Sequence, residues 1–284
     1  MRRLLIIIAI SLAATGLRAG TIIYEQGGAK LSASMEVGAF YGKAGNINFG
    51  FGIVDARTRE VRTPRANTAE GYLKPKLLGE FTSSEIGTFY SRFSGVGTLS
   101  RGDGDLGGGT QGDEQDIDAE EYMAGWRSGD LMPGLGKDTL DISIGAQDFK
   151  IGTGFLVADG NTDAFGDAAA WLLPRNAFKR TAIARFNTKP VRGDLFYLKA
   201  DKQHDSTQLG GVNIEYEKKG AFSVGATYMD IFSAIDDLNV RHGLQTADVR
   251  FTLKHLTGAP GLSFSGEFAK QFGEGRSVDY DAYG

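Results

Sequence analysis

The chain has 284 residues, with 41 Gly, 6 Pro, no Cys, and 31 basic against 35 acidic residues for a net charge of −4. Without Cys there is no disulfide scaffold and no thiolate-held zinc or iron–sulfur centre, and scarce Pro with aperiodic Gly excludes collagen. The 18 Phe, 10 Tyr and 41% hydrophobic residues exclude a disordered chain, and the acidic balance argues against nucleic acid as a partner.

Residues 1–19 read as an export signal. Met1-Arg2-Arg3 is basic, 4–14 is almost wholly apolar, and the small residue Ala19 closes the segment, which is the order of a secretory leader. The apolar run is shorter than the ~20 residues of a spanning helix. Cleavage after Ala19 removes Arg2, Arg3 and Arg18, taking 31 basic residues to 28 against 35 acidic ones, a charge of −7. No later run is long and apolar enough for a membrane helix.

From residue 29 the hydrophobic period is two. Leu31, Ala33, Met35, Val37 and Ala39 fall on one face, Ser32, Ser34 and Glu36 on the other. Less regular strands are expected at 70–83, 86–99 and 117–127. Leu140, Ile142, Ile144 and Ala146 then oppose Asp141, Ser143, Gly145 and Gln147. A short helical turn is expected within 163–173, and strands at 178–187 and 191–200. Alternation returns at 212–217, 222–228, 247–254 and 262–268, for roughly eleven strands in all.

A soluble sandwich or solenoid shares such alternation. Three features favour a transmembrane barrel. Segments run near the ~9–11 residues of a tilted membrane-crossing strand. Aromatic residues (Tyr90, Trp126, Phe178, Phe186, Tyr216, Phe222, Tyr228, Phe268) lie at segment ends, as interfacial girdles do. Connections alternate long and short: 201–206 and 230–243 are long, 218–221 and 257–261 short. Pro133, Pro174, Pro190 and Pro260 sit in connections, where a missing donor costs nothing. A water-facing half of each strand also explains the mean hydropathy of −0.21. The expected fold is thus all-β, an antiparallel transmembrane β-barrel over 20–284 in a bacterial outer membrane, with the lipid bilayer and the outer-membrane assembly machinery as partners. Single-chain barrels have even strand numbers. With an odd count and Val278 opening a further alternating stretch, the expectation is the N-terminal portion of a barrel of ~16–18 strands, incomplete at Gly284.

The polar face would line an aqueous lumen. Its basic candidates are Arg92, Arg127, Lys179, Arg185, Arg192, Arg250 and Lys254, with Lys150, Arg175 and Lys199 nearer loops. Glu36, Asp141, Glu215, Glu217 and Glu267 share that face, so cross-strand pairing competes with an anion-attracting constriction. Asp159, Asn161 and Asp163 have the spacing of oxygen ligands for Ca²⁺, but Ala164 and Ala170 break the EF-hand pattern; a solvated external loop is the favoured reading of them. No other metal and no cofactor is expected. His204-Asp205-Ser206 holds three catalytic residue types in sequence, whereas a triad converges in space. His242 and His255 are the remaining His. With no nucleophile elbow and no zinc-protease motif, the chain is not read as an enzyme.

Two stretches, GAQDFKIGTGFLVADG at 145–160 and AAWLLPRNAFKRTAIARF at 169–186, resemble outer-membrane porins of the alginate-export family. There a strand with a Gly-aromatic-Gly exit leads into a loop containing Trp and Arg. The resemblance covers about residues 70–284 and rests on pattern. It implies a monomeric channel for an anionic polysaccharide or other acidic solute, with Arg and Lys lining the pore. A general or nutrient-specific porin, a barrel with adhesive loops, and a rim hydrolase are the alternatives.

Overall fold

The structure is a computed structural model that describes residues 20–163, 165–234, 241–254, 261–274 and 279–283. The expected signal segment 1–19, Ala164, His255, Pro260, Val278 and Gly284 lie outside the described residues, as does most of the expected turn at 257–261.

The strands are β1 (Thr21–Gln26), β2 (Ala29–Gly45), β3 (Arg65–Ser83), β4 (Gly87–Gly102), β5 (Gln115–Arg127), β6 (Leu140–Gln147) and β7 (Phe178–Asn187), then β8 (Val191–Lys199), β9 (Gln208–Lys218), β10 (Phe222–Ser233), β11 (Gln245–Leu253), β12 (Phe264–Glu274) and β13 (Asp279–Tyr283). They form one 13-stranded sheet in sequential order. Every ladder is antiparallel. β1 and β13 do not pair with each other, so the barrel wall is open between them. Regular helix among the described residues is limited to short 3₁₀ turns, one of them Phe165–Asp167 within the expected helical stretch.

The eleven expected strands are all present. β1 is additional, and β13 falls on the further alternating stretch expected from 278. β1 has the apolar run Ile22-Ile23-Tyr24 instead of alternation, and its register slips between Ile22 and Tyr24. β3 carries Pro75 in its middle, where a missing donor should break a ladder. Pro75 still pairs with Met35 of β2, but the ladder to β4 skips from Leu73↔Gly97 to Lys76↔Ser94.

Period two dictates the two faces. Exposed apolar residues such as Met35, Leu73, Phe93, Ile144, Leu195, Ile214 and Val249 cover the outer face. Ser94, Thr98, Ser143, Asn213 and Asp248 are buried on the inner one. Two expectations about the girdle need correction. Tyr90 points inward, with Arg127 stacked 4.8 Å from its ring centroid. Phe178 is 2% exposed and belongs to an internal apolar cluster. The inner face is also not polar throughout: Ile183, Phe196, Leu198, Leu209, Met229 and Ile231 form a buried apolar patch across β7–β10.

The turns at 27–28, 84–86, 188–190 and 219–221 are short, and those at 46–64, 103–114, 148–177 and 200–207 are long, on the opposite rim. The connection 128–139 departs from the pattern, being long on the short-turn rim.

Candidate functional site: a loop laid across the inner face

The connection between β6 and β7, residues 148–177, folds inward. It leaves β6 through an irregularity at Gly145, whose φ of 122° a side chain would rarely adopt. Its first half is apolar. Phe149, Ile151 and Val157 are 1–4% exposed and pack on the inner patch of β7–β10, with the Phe149 and Phe196 rings 5.1 Å apart. Burying such a side chain contributes ~1.5–3 kcal/mol.

The second half is held by charge and hydrogen bonds. Arg175 is 2% exposed. Its Nη1 donates to Asp163 Oδ1 at 2.6 Å and to the Asp167 carbonyl at 3.0 Å, and its Nη2 donates to Asp116 Oδ2 of β5 at 2.6 Å. Burial pushes the Asp163 carboxyl up to about 6 against the pull of Arg175. Asn176 N and Ala177 N both donate to Glu120 Oε1, at 2.6 and 3.0 Å. Lys74 Nζ donates to the Pro174 carbonyl at 2.8 Å and pairs with Glu120 at 3.3 Å. Trp171 N donates to Glu70 Oε2 at 2.8 Å, Ala169 N to Ser100 Oγ at 3.0 Å, and the Trp171 ring stacks on Phe40 of β2.

On the other flank Thr153 Oγ1 donates to Glu267 Oε2 of β12 at 2.7 Å. A Cβ at Gly152 would lie 2.7 Å from Arg250 Cδ of β11. One loop thus meets the wall from β2 to β12, which requires the sheet to curve around it. The loop borders two cavities. One of about 410 Å³ is lined by Ser34, Glu36, Tyr72, Lys74, Lys76 and Asp148. The other, of about 600 Å³, is lined by Gly152, Thr153, Glu215, Arg250, Lys254 and Glu267 among others. Burial also raises the Asp148 carboxyl, with the nearby Glu121 charge adding to it.

Each of the seven basic candidates has an acidic partner. Arg92 pairs with Glu121 at 2.8 Å and Arg127 with Glu80. Arg185 and Arg192 share Asp194, each at 3.2 Å. Arg250 lies between Glu215 at 2.7 Å and Asp248 at 2.8 Å, and Lys254 meets Glu217 at 2.6 Å. Lys179 sits in β7 where the β6–β7 register shifts and reaches Asp201 at the long-loop rim, 2.8 Å away. The expected acids follow the same rule: Tyr72 donates to Glu36, Tyr90 to Asp141 and Thr153 to Glu267.

Lys74, Lys76, Glu70, Asp116, Glu120, Glu121 and Asp194 carry much of the site and were not among the sequence candidates. Lys74, Lys76 and Glu80 do alternate in β3, which is a usable signal. Adjacent Glu120 and Glu121 are harder to find: both turn inward because the ladder pairs Ser94 with Glu121 and Gly95 with Ala119, leaving Glu120 in a bulge.

Of the Ca²⁺ candidates, Asn161 and Asp163 are engaged within the protein. Both Asp163 oxygens are taken by Arg175, and Asn161 Oδ1 accepts from Thr162 N. Among the described residues no group of three or more His, Asp or Glu could hold a metal. His204, Asp205 and Ser206 do not converge. His204 Nε2 meets the Asn161 carbonyl at 3.1 Å, and Asp205 pairs with Arg241.

No protein-family model and no curated protein matches the chain; the resemblance to alginate exporters therefore gains no support. Solved structures similar to it include variants of the Rhodopseudomonas blastica porin. One has TM-score 0.44 at 14% identity, covering 88% of this chain and 77% of that one. Another has TM-score 0.42 at 15% identity, covering 88% and 83%.

Proposed function

We propose that this chain forms the wall and constriction of an outer-membrane channel for hydrophilic solutes. The observation that carries the reading is the loop 148–177, held against the inner face from β2 to β12 while the outer face is apolar. An apolar exterior of this extent needs lipid or a partner to cover it. A closed antiparallel barrel is one of two structures that tolerate lipid, and this sheet would be part of its wall. A loop narrowing the interior sets passage by radius and wall charge, with no covalent chemistry. The names of the similar solved structures, porins, agree with it.

The basic candidates are paired, so a preference for acidic solutes needs a local excess of positive charge. What supports it is the corner where Lys76 and Arg92 share Glu121, so two cations face one carboxylate. An acidic polysaccharide would enter along that corner. The two unpaired edges, β1 and β13, support completion of the wall by further strands. The length of the whole gene product tests that point.

The channel itself is tested by planar-bilayer recording of the refolded whole gene product. The expected result is stepwise conductance that rises when the loop is detached by the paired change Lys74→Met and Arg175→Met. A protein that folds in detergent and shows no conductance, wild type or variant, would overturn it.

A further inference from the structure

The outer face is apolar in the middle and chemically unequal at its two rims. At the short-turn rim its strand ends are mostly apolar and aromatic: Phe81, Phe89, Phe186, Tyr216, Phe251 and Phe264. At the long-loop rim the same face carries Lys43, Arg65, Arg101, Arg180, Lys199 and Lys270. Arg101 is answered by Gln115 and Asp113, and Lys270 by Asp281. The side chains of Lys43, Arg65, Arg180 and Lys199 have no hydrogen-bond or ion-pair partner among the described residues.

Arg180 and Lys199 are the sharpest pair. They stand directly opposite in the β7–β8 ladder. Like charges in that position repel, at a cost of up to ~1 kcal/mol. Nothing local relieves it. The next outward residue on β8 is Tyr197, stacked on Phe232 at 6.0 Å, and on the other side Tyr122 OH reaches the Lys179 carbonyl at 3.5 Å. Amphipathic rings of this kind mark the level where acyl chain gives way to headgroup. The two cations lie one step beyond that level, towards the long loops, where a phosphate ester would lie.

We propose that the long-loop rim of the outer face binds phosphate groups of lipid headgroups, with Arg180 and Lys199 as the principal clamp. Arg offers a planar fork and Lys a point charge, and a phosphate accepts from both. Lys43 and Arg65, on adjacent strands β2 and β3, give a second point of contact on the same rim. The inference rests on the reading that the outer face meets lipid.

The test uses the protein in dodecylmaltoside micelles, with the thermal unfolding midpoint followed while phosphatidic acid, diacylglycerol or inorganic phosphate is added. Phosphatidic acid should raise the midpoint. Diacylglycerol, which lacks the phosphate, and inorganic phosphate, which lacks the chains, should not. In the double variant Arg180→Gln and Lys199→Gln the concentration of phosphatidic acid needed should rise about tenfold. Lys218→Gln, at the opposite rim, should leave it unchanged. An equal response to inorganic phosphate would make the site a free-anion site, and an unaltered response in the double variant would remove the clamp; either overturns the proposal. A chain that stays soluble without detergent would overturn the membrane reading itself, a result distinct from the other two.

Discussion

Arg175 and Asp163 face each other at 2.6 Å inside the loop, both almost entirely out of solvent, and the same guanidinium reaches Asp116 on the wall. The pair therefore ties the loop to itself and to β5. Removing one partner of a buried pair leaves the other uncompensated, at a cost of ~3–5 kcal/mol. Arg175→Met should free the second half of the loop while the sheet persists. Conductance should rise and become noisier, and proteolysis between 160 and 177 should accelerate. Unchanged conductance and unchanged cleavage would show that this pair does not hold the constriction.

Phe149 anchors the other half. It is 1% exposed, packs on Phe196 and lies 5.6 Å beneath the Arg185 guanidinium. Truncating a buried Phe costs ~3–5 kcal/mol. Phe149→Ala should lower the unfolding midpoint in detergent and loosen the first half of the loop, whereas Phe155→Ala, at an exposed position of the same loop, should do neither. Equal midpoints for the two variants would contradict the packing.

How far these features were visible in the sequence follows from what each depends on. The strands were legible because one neighbour, lipid or its equivalent, selects apolar residues at every second position, as in β2 and β11. Glu120 and Glu121 were not, since a bulge moves one residue out of the period and leaves no compositional trace. The apolar inner patch at Phe196 and Leu198 carries no local sign of its partner. Its purpose depends on Phe149, which reaches it only through the fold. The pairing of Arg92, Arg185 and Arg250 with acids was allowed for by the alternation, but the partner of each is a matter of register.

A pH effect is expected at the first long loop. Asp55 accepts from the backbone N–H groups of Thr58 and Arg57 and from the Gln111 side chain. These bonds, chiefly that from Thr58, hold its carboxyl down to about 2 from 3.8. A lowered carboxyl contributes stability above its unfolded value and loses it as pH falls through the folded one. The loop 46–64 should stay docked at pH 4.5 and loosen between about pH 3.8 and 2. Pepsin cleavage within 46–64, compared at pH 4 and pH 2.5 after correction for enzyme activity, reads this out. In Asp55→Asn the difference between the two pH values should vanish.

The outer face can be tested by charge. Ile214 is an exposed residue in the middle of β9, on the same face as Leu195 and Val212. An Arg at the lipid midplane costs a barrel ~2–4 kcal/mol. Ile214→Arg should lower folding yield into vesicles and the stability there. Thr252→Arg, on the inner face beside the cavity of about 600 Å³, should have little effect. A reversed order would place water, not lipid, against Ile214.

Selectivity should respond to a single carboxylate. Glu121 is buried and receives Lys76, Arg92 and Ser94 at once. Glu121→Gln keeps its shape and the bond to Ser94 but uncovers two cations. Lys76 and Arg92 are each about one-third exposed, so water can take up part of the lost pairing and the fold should tolerate the change. The wall next to the loop then gains one unit of positive charge. Field in a narrow, low-dielectric constriction acts strongly on permeating ions. In a salt gradient the reversal potential should move towards that of the anion, by more than for Glu217→Gln, whose partner Lys254 is more exposed. Equal shifts for the two variants would mean that the corner at Glu121 does not set the selectivity of the channel.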